Sequence, residues 1–227
     1  MKKLGLVGGI SWVSTIDYYR LINEEINKRL GGLNYAECII YSLNFGDIQA
    51  VTWDHSFDLL LKACQSLKNS GAGAIVLCAN TAHLEAERLK ASIELPIIHI
   101  VEATAAVIRN KGIKKIGLLG TKFTMEKDLY TTRLRKNNIE CIVPEQQEVR
   151  DFIQYTLKEE LGKGIIKAET KEKYIDFMKR LIERGAEGII LGCTEIPMMI
   201  SQEDVSFPVF DTTKIHAAAA VEFALSK

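Results

Sequence analysis

Two cysteines lie where a buried segment gives way to small polar residues. Cys78 is in the stretch "LCANTAH" (77–83), and Cys193 is in "LGCTEIP" (191–197). A free thiol has a pKa of about 8.5, and the N–H groups of a helix N-terminus lower that pKa. Two thiols on opposite sides of one carbon could remove a proton from one face and deliver a proton to the other. The pair therefore predicts acid–base inversion of a stereocentre without a cofactor.

The elements that must position these cysteines alternate between short β-type runs and longer helical ones. The run "KLGLVGG" is typical of a buried strand that ends in a glycine turn. The segment "STIDYYRLINEEINKRL" that follows it has apolar residues at helical spacing. Strands that alternate with helices indicate βαβ units and a mostly parallel sheet, so the predicted fold class is α/β.

The same pattern restarts halfway along the chain. Residues 3–9 ("KLGLVGG") align with residues 115–121 ("KIGLLGT") at an offset of 112, and residues 71–77 align with residues 185–191 at an offset of 114. Matched glycine positions favour a duplicated unit over the general likeness of buried strands. We therefore predict two pseudo-symmetric, open parallel-sheet α/β domains that face each other across a cleft.

Ligands of open parallel sheets bind beyond the carboxyl ends of the strands. Four segments lie at such ends, namely 8–11, 78–81, 120–121 and 192–195. Two facing domains would bring them to one cleft, where polar groups could hold carboxylate oxygens. The residues predicted to bind substrate there are Ile10, Ser11, Asn80, Thr81, Thr121, Thr194 and Glu195.

The two cysteines are not in matching positions. The offset of 114 places Ala79 opposite Cys193, and Cys78 opposite Gly192. Because successive strand residues point to opposite faces, Cys78 faces away from the site if Ala79 faces it. Two interpretations stay open. Cys78 is either a buried small hydrophobe, as free cysteines often are, or a displaced catalytic thiol.

Four other side chains have competing roles. His83 could act as a base or a donor, or it could orient its neighbours in a first helical turn. Glu195 could contact a substrate amino group, or it could cap the helix that follows. His99 and His216 lie within or beside apolar runs, and both are predicted to be structural.

Charge and motif content exclude several classes of protein. Basic and acidic residues number 29 each and form no basic stripe, so we predict no nucleic-acid partner and no membrane partner. The chain has no signal-peptide core and no apolar run of roughly 18 residues. Its odd cysteine count favours reduced thiols in the cytoplasm. Without a zinc-ligand spacing, a GxGxxG or a P-loop motif, no metal and no cofactor are predicted.

Five longer stretches carry a resemblance to a known family. They are "GLVGGISWVST", "CANTAH", "GLLGTKFTMEKDLY", "ERGAEGIILGCTEIP" and "PVFDTTKIHAAAAVEFAL", in this order along nearly the whole chain. Together they resemble the aspartate/glutamate racemases, which need no pyridoxal phosphate. The resemblance implies two α/β domains with a C-terminal helix that crosses back, here 1–99 plus 209–227 and 100–208. It also implies an amino-acid substrate, a homodimer and two catalytic cysteines.

Two features depart from the family pattern. Cys193, in Gly-Cys-Thr-Glu, matches the second catalytic cysteine, but Ala79 stands where the first cysteine directly precedes asparagine. The segment "FGDIQAVTWDHSFD" also lacks the Lys or Arg that would pair with an acidic substrate side chain. The candidate substitutes for that basic residue are Gln49, His55 and Lys163.

Three functions are compatible with these residues. The first is a cofactor-independent amino-acid racemase of the aspartate/glutamate type, with Cys193 on one face and Thr81, His83, a bound water or a shifted Cys78 on the other. The second is a decarboxylase similar to the arylmalonate type, in which loss of CO2 makes a carbanion that Cys193 alone protonates. The third is a weakly active amino-acid-binding protein, which predicts ligand binding without proton exchange.

Overall fold

Each half of the chain forms a four-stranded parallel sheet in a computed structural model that describes residues 1–227. The strands of the first sheet are β1 (Leu4–Gly8), β2 (Cys38–Ser42), β3 (Ala74–Leu77) and β4 (Ile97–Ile98), and those of the second are β5 (Lys115–Gly120), β6 (Glu140–Ile142), β7 (Ile189–Gly192) and β8 (Val209–Asp211). The strand orders are β2-β1-β3-β4 and β6-β5-β7-β8. The predicted α/β class with two parallel-sheet domains is confirmed.

Ten α-helices connect and cover these strands. They are α1 (Trp12–Leu30), α2 (Phe45–Val51), α3 (Phe57–Asn69), α4 (Ala86–Ile93), α5 (Ile100–Asn110), α6 (Lys122–Glu126), α7 (Leu129–Lys136), α8 (Gln147–Glu159), α9 (Ala168–Glu183) and α10 (Thr212–Leu225). Short 3-10 helices follow the ends of β3 and β7, at Thr81–Glu85 and Ile196–Met198. None of the helices has both the length and the apolar character needed to cross a bilayer.

The chain divides into two compact units, formed by residues 1–100 with 213–227 and by residues 101–212. The chain thus returns to the first unit between Thr212 and Thr213, later than the 208/209 boundary expected from the sequence. The physical reason is β8, which pairs with β7 in the second sheet and so cannot belong to the first.

The strand register supports the internal repeat. Val7 pairs with Leu77 in the first sheet, and Leu119 pairs with Leu191 in the second. These two pairs are related by the offsets of 112 and 114 seen in the sequence. Ala79 lies two residues beyond Leu77, and Cys193 lies two residues beyond Leu191. The two residues are therefore in equivalent positions of the repeat.

The first sheet separates alternate residues of its central strand into two apolar clusters. Leu77 belongs to one cluster, and the half-buried Ala79 packs against that same cluster. Val76 and Cys78 belong to the other cluster, together with Tyr18 of α1. The alternation expected from a strand therefore continues through Cys78 and Ala79.

Helix α10 is fixed in the first unit by His216, which is fully buried. The Nδ1 of His216 lies 2.7 Å from the hydroxyl of Tyr18 on α1, and its Nε2 lies 2.6 Å from the carbonyl oxygen of Ile98 on β4. One imidazole thus joins three elements of the unit, as expected of a structural histidine. Alanines on the same helix, among them Ala217 and Ala220, pack into the cluster that contains Cys78.

We expect this histidine to make folding sensitive to acid. Burial, and secondarily the neighbouring His83, lower the pKa of His216 from 6.5 to about 3. Between pH 6.5 and 3 the unfolded chain therefore binds a proton at this position that the folded chain excludes. As the pH falls through this window, the free energy of unfolding should fall by up to about 1.4 kcal/mol per pH unit. Above pH 6.5 this loss of stability is absent.

The measurement is urea unfolding at several pH values between 7 and 4. The matched control is His216→Gln, whose side-chain amide can still donate to the carbonyl of Ile98 but does not titrate. Its stability should depend less steeply on pH than that of the wild type. Equal slopes would contradict the assignment of the acid sensitivity to His216.

Candidate active site

Cys193 directly follows the last residue of β7 and shares its proton acceptor with its neighbour. The Sγ of Cys193 donates to Oε2 of Glu195 at 2.9 Å, and the hydroxyl of Thr194 donates to the same oxygen at 2.8 Å. Glu195 makes no side-chain cap for the 3-10 helix that follows it. Glu195 therefore does not cap this helix with its side chain. Its carboxylate accepts a hydrogen bond from the Cys193 thiol instead.

The electrostatics of this group favour the protonated thiol. Burial raises the pKa of Cys193 well above its usual value, and the charge and hydrogen bond of Glu195 raise it further. The main-chain N–H groups of Glu195 and Thr194 act in the opposite direction. At neutral pH the thiol is a proton donor, and it becomes a base only after its proton has moved away. Glu195 is the adjacent group that can take that proton.

A second polar group lies next to Cys193 at the edge of the same sheet. Gly120 of β5 pairs with Gly192 of β7, so the residues that follow them, Thr121 and Cys193, emerge from neighbouring strands. Thr121 caps α6 by accepting from the N–H of Thr124 at 3.2 Å, and the two hydroxyls lie 3.0 Å apart. Thr124 was not among the predicted site residues, although the spacing in "TKFT" is that of an N-cap.

In the first unit the loop after β1 is held by its own side chains. Gly9 has a φ of 80°, and a Cβ there would clash with the carbonyl oxygen of Leu43. Its N–H donates to the hydroxyl of Thr15 at 2.9 Å, and Ser11 caps α1. The side chain of Ile10 belongs to the core cluster, so Ile10 can offer a ligand only its main chain.

The segment after β3 presents alanine where the second unit presents Cys193. Asn80 and Thr81 follow Ala79, and both are nearly buried. The thiol of Cys78 is fully buried in the cluster with Tyr18, and this burial raises its pKa. Of the two interpretations of Cys78, the structure favours the buried small hydrophobe.

The three residues predicted to replace the family's basic residue in substrate binding all lie at the surface. Lys163 is exposed and pairs with Glu159 one helical turn earlier, at 2.6 Å. Gln49 and His55 are also exposed, on α2 and on the turn after it. Neither unit presents a buried Lys or Arg at the strand ends described above.

The Cys193–Glu195 contact predicts how a substitution changes thiol reactivity. In Glu195→Gln the negative charge is lost, so the pKa of Cys193 should fall and its thiolate fraction at pH 8 should rise. Alkylation of Cys193 by iodoacetamide should then be faster than in the wild type, with its pH profile displaced to lower pH. The measurement is the rate of carbamidomethylation of the Cys193 peptide by mass spectrometry between pH 6 and 10.

The peptide of Cys38, a half-buried thiol of the first unit, provides an internal control in the same samples. Its alkylation rate should be the same in wild type and Glu195→Gln. A Cys193 profile that stays in place, or moves to higher pH, would contradict the hydrogen bond to Glu195.

Comparison with known proteins gives consistent matches over the whole chain. The model of the Asp/Glu/Hydantoin racemase family matches residues 7–220. A solved structure of a candidate Asp/Glu racemase from Yersinia pestis is 46% identical and covers 100% of both chains with a TM-score of 0.93. An aspartate racemase homologue from Pyrococcus horikoshii OT3 is 36% identical, with the same coverage and a TM-score of 0.86. A broad specificity amino-acid racemase of Bacillus subtilis strain 168 is 25% identical over 96% of each chain.

Proposed function

This chain belongs to the Asp/Glu/Hydantoin racemase family, and we propose that it is a cofactor-independent amino-acid racemase. The observation that carries the proposal is the contact between the Cys193 thiol and the Glu195 carboxylate at the end of β7. A protonated thiol with an adjacent proton acceptor is the apparatus needed to add or remove one proton at a carbon. The similarity to a broad specificity amino-acid racemase of Bacillus subtilis supports an α-amino acid as the substrate class.

Cys193 carries the proton on one face of the substrate. In the direction of proton removal, Glu195 first takes the thiol proton, and the thiolate then breaks the α-C–H bond and forms S–H. The electron pair remains on the α-carbon and spreads into the substrate carboxylate. In the opposite direction the thiol of Cys193 protonates this carbanion, and the resulting thiolate takes back the proton held by Glu195, so the thiol and the carboxylate return to their starting states.

A different group must carry the proton on the other face. We assign this role to a water molecule beside Ala79, because a methyl group leaves space where other family members have a thiol. The hydroxyl of Thr81 would orient this water. Cys78 is not used, since its thiol packs in the apolar cluster, and the ring of His83 already bonds the carbonyl of Ala79.

The carbanion needs hydrogen-bond donors at the carboxylate oxygens. Hydroxyl and amide groups at the strand ends are suited to this role, because a capping hydroxyl accepts from the helix and still has a proton to donate. We propose that the substrate carboxylate is bound by Ser11, Asn80, Thr81 and Thr121, with the main chain of Ile10. The hydroxyl of Thr194 donates its proton to Glu195 and is therefore not a donor to the substrate.

The substrate range should extend beyond acidic amino acids. Residues 45–58 contain no Lys or Arg, and the Lys163 ammonium is paired with Glu159 in solvent. No fixed cation is therefore supplied by these positions for a side-chain carboxylate. The similarity to a broad specificity racemase of Bacillus subtilis supports the inclusion of neutral amino acids among the substrates to be tested.

A one-thiol decarboxylase is the second candidate, and one observation favours it. Ala79 leaves Cys193 without a thiol counterpart at the equivalent position of the first unit. Loss of CO2 from a malonate would generate the carbanion directly, so a single proton donor suffices. An amino-acid-binding protein without turnover is the third candidate.

Proton NMR in D2O tests the racemase, and a parallel incubation with an arylmalonate tests the decarboxylase. Each enantiomer of Asp, Glu and a set of neutral amino acids is incubated with the protein, and the α-proton signal and the enantiomer ratio are followed together. Exchange with inversion is the expected result. Exchange with retention from one enantiomer would show that Cys193 acts alone, and CO2 release from an arylmalonate would establish the decarboxylase.

Two further expectations from the sequence stay predictions. The homodimer is tested by light scattering of the purified protein, and the cytoplasmic location by fractionation of the cells that produce it.

A further inference from the structure

Three imidazole rings pack together in the first unit, behind the segment that follows β3. The ring centroid of His83 lies 4.8 Å from that of His99 and 5.2 Å from that of His216. His83 is 1% exposed and His216 is fully buried. His99 is half-buried. Such a group of titratable rings is unusual, because each could acquire a charge that burial penalises.

His83 bonds two successive carbonyl groups of the turn. Its main-chain N–H donates to the carbonyl of Asn80 at 3.1 Å, which makes the 3-10 helix. In a regular α-helix that N–H would instead donate to the carbonyl of Ala79. Here the Nδ1 of the His83 ring takes this place, 3.0 Å from the Ala79 oxygen. One residue therefore satisfies both carbonyls on which the turn depends.

The hydrogen bonds assign the tautomers of the two neighbouring rings. A carbonyl oxygen can only accept, so Nδ1 of His83 carries the proton. By the same argument Nε2 of His216 carries the proton that it donates to Ile98, and its Nδ1 accepts from the hydroxyl of Tyr18. The rings of His83 and His216 are thus in opposite neutral tautomers. A charge on either ring would lie beside the other ring, and burial lowers the pKa of His216.

We propose that His83 is a positioning residue, which holds the Ala79–Thr81 turn for ligand binding through its Nδ1–H while its ring packs against those of His99 and His216. This inference rests on the proposed function, since Asn80 and Thr81 are the groups that the turn presents. His83 acts on the substrate through the carbonyl of Ala79 and not by proton transfer of its own.

The tautomers can be tested without any substrate. In long-range ¹H–¹⁵N spectra of the ¹⁵N-histidine-labelled protein at pH 8, where an ordinary histidine is neutral, His83 should show a protonated Nδ1 and His216 a protonated Nε2. Single His→Gln variants assign the signals. A neutral His83 with its proton on Nε2 would overturn the proposal.

A matched pair of variants tests the positioning role. The amide nitrogen of asparagine lies where Nδ1 of His83 lies, whereas leucine has the same branched shape without a donor. Both variants lose the ring, so both should lose thermal stability to a similar extent. Only His83→Leu should weaken binding, with KM for the amino acid exchanged fastest by the wild type rising by about tenfold and kcat changing less. His83→Asn should recover most of that loss.

The outcomes separate this inference from the proposed function. Equal KM values in the two variants would overturn the role of the N–H donor. A large fall in kcat with unchanged KM in both would instead make His83 a catalytic group. A wild type that neither binds nor exchanges any amino acid, as measured by calorimetry and NMR, would overturn the proposed function, and the tautomer spectra would still decide how the turn is held.

Discussion

Replacing Cys193 by alanine is expected to lower the rate of α-proton exchange by about a thousandfold. The thiol is the one side chain at the end of β7 that can change protonation state next to a proton acceptor, Glu195. A positioned acid–base group contributes on the order of 10² to 10⁴ in rate, and no neighbour of Cys193 offers a comparable proton. The measurement is loss of the α-proton signal in D2O with the best substrate of the wild type.

Two other variants make this result specific. Cys38→Ala removes a half-buried thiol at the start of β2, at the opposite end of the first sheet from the residues that follow β3, and should leave the exchange rate unchanged. Cys193→Ser keeps a donor for Glu195, but a hydroxyl is a far weaker acid than a thiol, so this variant should be nearly as slow as Cys193→Ala. Exchange within tenfold of the wild type in Cys193→Ala would show that the reacting proton is carried elsewhere.

The fold followed from the sequence because its strands have little freedom. Central strands such as β1 ("LGLVG") and β3 ("AIVL") are buried on both faces, so they consist of apolar residues and glycine and are easily recognised. The C-terminal boundary of the second unit was harder to predict from the sequence. β8 is three residues long, and only its pairing with β7 shows that it belongs to the second sheet.

The site was predictable where it depended on register and unpredictable where it depended on rotamers. The equivalence of Ala79 and Cys193 followed from a count of residues, because parallel strands keep a fixed register. The two hydrogen bonds that converge on Glu195 depend on side-chain torsions that no spacing reveals. The side-chain bond from His83 to Ala79 depends on a 3-10 turn, whereas the sequence pattern indicated only a helix.

Replacing Ala79 by cysteine is expected to raise racemisation by about a hundredfold or more. Ala79 occupies in the first unit the position that Cys193 occupies in the second, and it points to the face opposite Cys78. A thiol there would supply the proton carrier that a water molecule replaces in the wild type, and a positioned acid–base group contributes at least about 10² in rate. The measurement is the rate of change of the enantiomer ratio, starting from each enantiomer in turn.

Ala79→Ser is the matched control, because a hydroxyl has nearly the size of a thiol but no useful acidity near neutral pH. A gain with cysteine and none with serine would assign the effect to proton transfer and not to packing around Ala79. The double variant Ala79→Cys with Cys193→Ala should lose the gain, since inversion needs a carrier on each face. If Ala79→Cys folds with an unchanged melting temperature and shows no gain, Ala79 does not face the substrate. The second proton must then come from a group other than a water molecule beside this residue.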